Sequence, residues 1–335
     1  MHILVIGGTG VISTEIVNRL LELSHDVTVF NRGIRKVRYR GNPRVLTGDK
    51  KNREEFYSVL KGQSFDAVID MISYNPEDAA ATLAALENRA GHFVFTSTVA
   101  VYKRPFRSIP VPETAEVFDT DIFPYGYHKA RMEQYLRERM QDGVPITIIR
   151  PSLTYGIGSA NIGVMRSNYG IVERIRQKKP LVVFGDGTIP QTFTFAPDLA
   201  KAYAGVLGRK ECFGETYHAC SDDQHIWDDL YYAFGKVVGE EPRLIHISTE
   251  MLMAAYPEIF LHVQQEKMYG GICNTSKIRA AVPEFICEYT LEKTIEAICA
   301  WYSSDSDARI IDREKDELED RIAQKYFRCM DIMKG

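Results

Sequence analysis

The chain has 335 residues, 45% of them apolar and 26% charged, with a formal net charge of −4. That composition fits a globular protein long enough to bury a core without disulfides or metals. The mild acidic balance gives no global attraction to nucleic acid or a membrane surface, and no apolar run is long enough to span a bilayer.

A strand-like run, HILVIG, begins almost at Met1. So abrupt a start leaves no room for a signal peptide, and the expected location is cytoplasmic. The strand runs into Gly7-Gly8-Thr9-Gly10-Val11-Ile12-Ser13 and then a helical stretch. Glycines there permit a tight turn and let backbone approach a pyrophosphate at the helix N-terminus, where free N–H groups favour an anion. Ser13 stands where a third glycine is usual. Nucleotide binding is therefore expected at Gly7 to Ile12.

The second strand, DVTVFN, ends at Asn31-Arg32, with no carboxylate at either position for a ribose 2′-hydroxyl. Five basic residues fill the nine positions from Arg32 to Arg40. An arginine at this point can meet a 2′-phosphate. Asn31, Arg32, Arg35 and Lys36 are expected at the cofactor, NADP before NAD. Asp49, beyond the third strand, is expected at the adenine amino group. Its alternative is to cap a helix over Lys50 to Leu60.

Further β-branched runs, FDAVIDM, HFVFTST and PITIIR, alternate with helical stretches at 53–62, 76–91 and 128–143. Such alternation predicts an α/β fold, a Rossmann-type doubly wound parallel sheet. The strand at 92–98 ends in Thr96-Ser97-Thr98, and strand ends line the ligand crevice of such sheets. Tyr125 and Lys129 stand four apart at a helix entry and share one face. A nearby ammonium lowers a tyrosine pKa, so Tyr125 can move a proton to or from a substrate hydroxyl while hydride passes to or from nicotinamide.

After Arg150 the texture changes. Domain one is expected at 1–155 and about 192–220, binding NAD(P). A smaller, mostly helical substrate domain is expected at about 156–191 and 221–304. Residues 305–335 read as an amphipathic helix with Ile311, Leu318, Ile322, Tyr326 and Met330 on one face. Six cysteines form no C-x-x-C pair and eight histidines show no ligand spacing, so no metal is expected. Asn161, Asn168 and Gln191 are candidate polar liners of a substrate site, with Tyr74, Ser97, Val99 and Tyr155.

The chain resembles the short-chain dehydrogenase/reductase superfamily, in its extended, epimerase/dehydratase-like branch. The resemblance runs from Gly7-Gly8-Thr9-Gly10 through Thr96-Ser97-Thr98, Tyr125 and Lys129 to Arg150-Pro151 and Tyr155-Gly156. It continues in Gly185-Asp186-Gly187, Asp198-Leu199-Ala200 and Asn274 to Lys277. It implies Tyr125 as acid/base, Lys129 as its partner and Thr98 as third member, with Ser97 adjacent. Pro151, Leu153 and Tyr155 would approach the nicotinamide, together with Ile72-Ser73, which replace a usual Ala-Gly, and Thr96. It also implies a homodimer through helices 77–90 and 126–141.

The departures narrow the chemistry. Val99 and Ala100 stand where related sugar-nucleotide dehydratases carry Asp-Glu, so elimination of water lacks its catalysts. Gln191 and Leu153 replace an Arg and an Asn that hold a UDP-sugar in the epimerases. The doubled glycine and the "NRG" loop look more like an atypical subgroup, some members of which have been labelled RNA-binding. The expected function is an NAD(P)-dependent oxidoreductase or epimerase acting on a hydroxyl or carbonyl of a sugar-like or polyol-like small molecule. RNA-binding and cofactor-sensing without turnover are the alternatives, with nucleic acid disfavoured by the acidic balance.

Overall fold

Buried β-branched runs and amphipathic stretches alternate through the first half and continue, less regularly, beyond it. The computed structural model describes every residue except Lys36, Arg38, Ser159 and Ala160. In chain order the elements are β1 (His2–Ile6), α1 (Val11–Glu22), β2 (Asp26–Asn31), β3 (Arg44–Thr47), α2 (Arg53–Leu60), β4 (Ala67–Asp70), α3 (Pro76–Leu86) and β5 (Phe93–Thr96). Next come α4 (Pro124–Gln141), β6 (Ile146–Pro151), β7 (Leu153–Tyr155), α5 (Tyr169–Arg176), β8 (Pro180–Phe184), β9 (Pro190–Phe195), α6 (Ala196–Val206) and β10 (Glu215–Ala219). The remainder is β11 (Gln224–Ile226), α7 (Trp227–Val238), β12 (Arg243–Ile247), α8 (Thr249–Ala255), α9 (Pro257–His262), α10 (Ser276–Ala281), α11 (Leu291–Ser304) and α12 (Arg313–Lys334).

Two compact units emerge. The first comprises Met1–Thr154, Thr194–Cys220 and Cys273–Glu288. Its sheet has seven parallel strands in the order β10-β6-β5-β4-β1-β2-β3. Strand order reverses between β1 and β4, which opens a crevice beyond their C-terminal ends. Period-two alternation sends Ile3 and Val5 into a core shared with α1 and α6, while Leu4 and Ile6 join a second core under α2, α3 and α4. Both faces are thus covered, which is why these strands read as continuous apolar runs.

The segment Cys273–Glu288 was expected in the other domain and packs with this one instead. Ile278, Val282 and Phe285 join the α1–α6 core, Cys273 bridges to Val111, and Lys277 donates to the Thr216 carbonyl at 2.9 Å.

The second unit comprises Tyr155–Phe193, Ser221–Ile272 and Tyr289–Gly335. The 221–304 region is less purely helical than its sequence suggests, because β12 pairs in parallel with β8 and β11 pairs with β9. The tail belongs to this unit rather than standing alone. Leu318 and Ile322 are buried, but Ile311 lies ahead of α12 and is 39% exposed. Arg174, fully enclosed, binds Asp316 at 2.6 Å, Asp320 at 2.9 Å and Glu319 at 3.3 Å, so a charged cluster as well as an apolar face docks the helix. Among the described residues no helix is long and apolar enough to cross a membrane.

Candidate active site

The glycine turn closes over the end of β1. Gly7 adopts φ +88°, and a Cβ there would stand 2.4 Å from Ile72 Cγ2, so the turn demands glycine twice over. Ser13 Oγ accepts from the Gly10 N–H at 2.8 Å, which explains a serine at the usual third glycine. The first turn of α1 leaves the N–H groups of Val11 and Ile12 without intrahelical acceptors. A Cβ on Gly10 would meet nothing nearer than Ser13 Oγ at 3.4 Å, so the cradle is open on that side. Glycine backbone, free N–H donors and an open approach fit a dinucleotide pyrophosphate.

The basic run divides. Arg40 is drawn back to α1, reaching Glu15 at 3.0 Å and Glu22 at 2.9 Å. Tyr39 donates its hydroxyl to the Gly8 carbonyl at 3.0 Å, fastening the loop to the glycine turn. Arg32 and Arg35 are exposed, and Asn31 accepts from the Gly33 N–H at 2.7 Å. Lys36 lies outside the described residues. Asp49 is not a helix cap: that role falls to Asn52, which accepts from Glu55 N, while Asp49 accepts from Lys51 N at 2.9 Å.

Tyr125 sits in the first turn of α4 with its side chain 44% exposed, and Lys129 lies one turn on, buried. The Lys129 ammonium donates to the carbonyls of Ser73 and Thr96, each at 2.6 Å, and lies 4.7 Å from the Tyr74 ring centroid. Thr96 ends β5 and Ser73 lies in the turn just beyond β4, so the lysine ties the helix to the crevice. Burial pushes its pKa down to about 8.

The two hydroxyls after Thr96 part company. Ser97 is buried and donates to Glu133 at 2.5 Å. Arg150, also fully buried, binds that carboxylate through two nitrogens and reaches the Glu113 carbonyl at 2.7 Å. Burial opposes ionisation of Glu133, yet Arg150, Arg137 and the Ser97 hydroxyl hold its pKa below the usual range. Thr98 is half-buried and accepts from Ala100 N at 3.1 Å, which starts a short 3₁₀ turn over Val99–Val101 and leaves the hydroxyl hydrogen unused by that bond. Thr96 turns its side chain inward, where Tyr203 donates to it at 3.0 Å.

The remaining expectations separate. Tyr74 is half-exposed beside Lys129, and Ile72 presses on Gly7. Pro151 ends β6, buried beside Ala219 of β10, and Leu153 opens β7. Tyr155, expected at the cofactor and substrate, is buried in the second unit and stacked on Phe193 at 5.5 Å. Gln191 is not an open polar liner: it is buried, with its amide donating to the Tyr269 carbonyl at 2.9 Å. Asn168 accepts from Ile162 N at 3.0 Å, and Asn161 is exposed. Val99 and Ala100 are buried and bring no carboxylate to the strand end.

Sequence reasoning missed the buried pair Lys50 and Asp70, 2.6 Å apart. Asp70 carried a signal: a carboxylate ending a wholly buried strand requires a cation or several donors. Lys50, in the run DKKNREE, looked like surface.

A family model described as "NAD dependent epimerase/dehydratase family" matches residues 3–219. The 2′-dehydrokanamycin reductase of Streptomyces kanamyceticus is 24% identical over 251 residues, covering 75% of this chain and 70% of that protein. The chloroplast stem-loop binding protein of 41 kDa b of Arabidopsis thaliana is 26% identical over 263 residues, covering 73% of this chain and 65% of its own length. Among solved structures, the UDP-glucuronic acid 4-epimerase of Bacillus cereus in complex with NAD superposes with a TM-score of 0.72 at 18% identity, covering 91% of this chain and 99% of that one.

Proposed function

Since the chain belongs to the NAD dependent epimerase/dehydratase family, within the extended short-chain dehydrogenase/reductases, its chemistry is NAD(P)-dependent, and we propose that it reduces a carbonyl or oxidises a hydroxyl of a sugar-like molecule carrying no nucleoside diphosphate. The observation that carries this reading is Tyr125 one helical turn before a buried Lys129 anchored at the end of β5 and in the turn beyond β4. Val11 and Ile12 N–H groups would hold the pyrophosphate, Asp49 the adenine, and Lys129 the nicotinamide ribose. When bound, the nicotinamide supplies or accepts a hydride. Tyr125 gives its phenolic proton to the substrate oxygen in reduction and takes it back in oxidation. The Lys129 ammonium favours the phenolate. Thr98 donates its hydroxyl to the same substrate oxygen and fixes its direction.

Two things support a reductase over a UDP-sugar epimerase or a dehydratase. Gln191 and Leu153 replace the expected diphosphate partners, and no acid–base pair stands at Val99 and Ala100. A relative named a reductase of a dehydrokanamycin has a substrate class consistent with that. Exposed Arg32 and Arg35 support NADP as the cofactor, by meeting its 2′-phosphate. A homodimer through the outer faces of α3 and α4 belongs to the same proposal.

The test pairs NADPH and NADH affinity with consumption of each on a panel of keto-sugars and aminoglycoside ketones. NADPH is expected to bind at least about tenfold more tightly, with the preference lost in Arg32→Ala. Equal binding of the two cofactors, or NAD that stays bound through purification without turnover of ketones, overturns the NADP reductase reading.

RNA binding draws support from the stem-loop binding relative. Against it, Arg40 is committed to Glu15, Arg53 to Asp78 and Lys50 to Asp70, which removes three basic residues from the patch. RNA affinity falling steeply with salt would favour it.

A further inference from the structure

The turn from Asp70 to Asp78 carries more order than a strand-end loop requires. Asp70 Oδ1 accepts from the N–H groups of Ile72 at 3.0 Å and Ser73 at 2.9 Å. Its Oδ2 accepts from Lys50 at 2.6 Å, Ser73 Oγ at 2.8 Å and Thr82 Oγ1 at 2.5 Å. Lys50 also donates to Ser73 Oγ at 2.6 Å. On the far side Asp78 accepts from Tyr74 N at 3.2 Å, and Arg53 joins Asp78 to the Lys50 carbonyl, each at 2.8 Å. Five donors converge on one carboxylate, and Ser73 is held through both its amide and its hydroxyl. The one polar group of Ser73 left over is the carbonyl, which receives Lys129.

Lys50 and Lys129 are therefore two buried ammonium groups bound to one serine, one at its hydroxyl and one at its carbonyl. A buried like-charged pair is costly unless an anion sits beside it. Asp70 is that anion. Burial opposes its charge, but Lys50 and the surrounding donors keep its pKa below the ordinary range. The charged and titratable groups facing Lys129 are Asp70 at the end of β4, Lys50 before α2, Asp78 on α3, Glu133 on its own helix, and the tyrosines 74 and 125. The ammonium itself donates to backbone oxygen, at Ser73 and Thr96.

We propose that the Lys50–Asp70 pair is a positioning device for Lys129: it fixes the Ser73 carbonyl that receives the catalytic ammonium and sets the electrostatic field that controls its charge. This rests on the role given to Lys129 above. Lys50 destabilises the Lys129 charge and Asp70 sustains it. The pair lets the enzyme keep a buried lysine that is charged at neutral pH and close to losing its proton above it.

The experiment needs neither substrate nor cofactor. Protein labelled with ¹³C at the lysine Cε is titrated by NMR, and the Lys129 signal is assigned by its loss in Lys129→Arg. Lys50→Gln, which keeps a donor for Ser73 and Asp70 but removes the charge, is expected to raise the Lys129 midpoint by about one pH unit. Lys50→Arg restores the charge and is expected to keep the midpoint low. If the glutamine variant does not fold, Lys50→Met makes the same measurement. A midpoint that stays put when Lys50 is neutralised overturns the proposal, even if NADPH binds and turnover depends on Tyr125. A shifted midpoint in a protein that binds no nicotinamide cofactor supports the pair's control of Lys129 while the enzymatic reading fails.

Discussion

Ser97 and Thr98 are chemically alike and adjacent, yet their surroundings assign them different work. Ser97 is one of the donors on a buried carboxylate, so its hydroxyl belongs to the Glu133–Arg150 pair that joins α4 to β6. Thr98 is half-buried at the strand end, its oxygen beginning the next turn. The family resemblance named Thr98 as the third member with Ser97 adjacent; the work of Ser97 was hidden, because its partner, Glu133, is 36 residues away. Two variants separate the roles. Ser97→Ala removes one donor from a carboxylate that keeps Arg150 and Arg137, and should cost about 1–2 kcal/mol of stability with kcat little changed. Tyr125→Phe should leave the melting temperature alone, since the side chain is 44% exposed, and lower kcat about 10²-fold or more. Thermal unfolding and steady-state rates on one ketone substrate check both; a fully active Tyr125→Phe removes the acid/base assignment.

The strand–turn–helix at the N-terminus was the most legible element, because each glycine answers a separate backbone demand. Those demands are separable by mutation. Gly7→Ala forces a left-handed residue to carry a Cβ against Ile72, and should destabilise the fold by about 1–2 kcal/mol before any cofactor is added. Gly10 has φ −88° and ψ 172°, which alanine adopts freely. Gly10→Ala should therefore change stability by less than about 1 kcal/mol. Its methyl would nevertheless stand where an anion approaches α1, so NADPH affinity should fall at least about tenfold, by nicotinamide fluorescence. Equal losses of stability in both variants would contradict the division. Less legible was the start of α2. Asp49 and Asn52 are both capping residue types three apart, and the helix begins at Arg53 with Asn52 accepting from Glu55 N. Lys50 was hidden for a related reason: its burial depends on Asp70, which the fold brings to it from the next strand.

Across the whole molecule, local periodicity located the parallel sheet but not the chain's second return to the first unit, at Cys273–Glu288. Cys273–Glu288 has no texture of its own; three apolar residues spaced for α10 and its exit decide that it packs under the first unit. The tail was read as amphipathic, and Leu318 and Ile322 are buried as that requires, but its second anchor, the Arg174 cluster, was invisible without Arg174. That anchor makes stability depend on pH. Glu319 is enclosed, accepts from Val182 N at 2.8 Å, and shares Arg174 with Asp316 and Asp320. Burial outweighs the pull of Arg174 and pushes its pKa up to about 7, from an ordinary 4.5. Between those values the folded protein holds a proton that the unfolded chain has released. Stability should therefore be highest below pH ~4.5 as far as this group is concerned, and fall as pH rises towards 7, by up to about 3 kcal/mol. The acids with lowered values, Asp70 and Glu133, act in the opposite sense and lose their contribution only when pH falls below the usual carboxylate range. Glu319→Gln cannot ionise, and its amide still accepts from Val182. Chemical denaturation at intervals from pH 5 to 8 should show the wild type losing stability relative to Glu319→Gln across that window. Parallel curves for the two proteins would mean that Arg174 keeps Glu319 ionised throughout, and that α12 is held by a permanent ion cluster rather than a protonated acid.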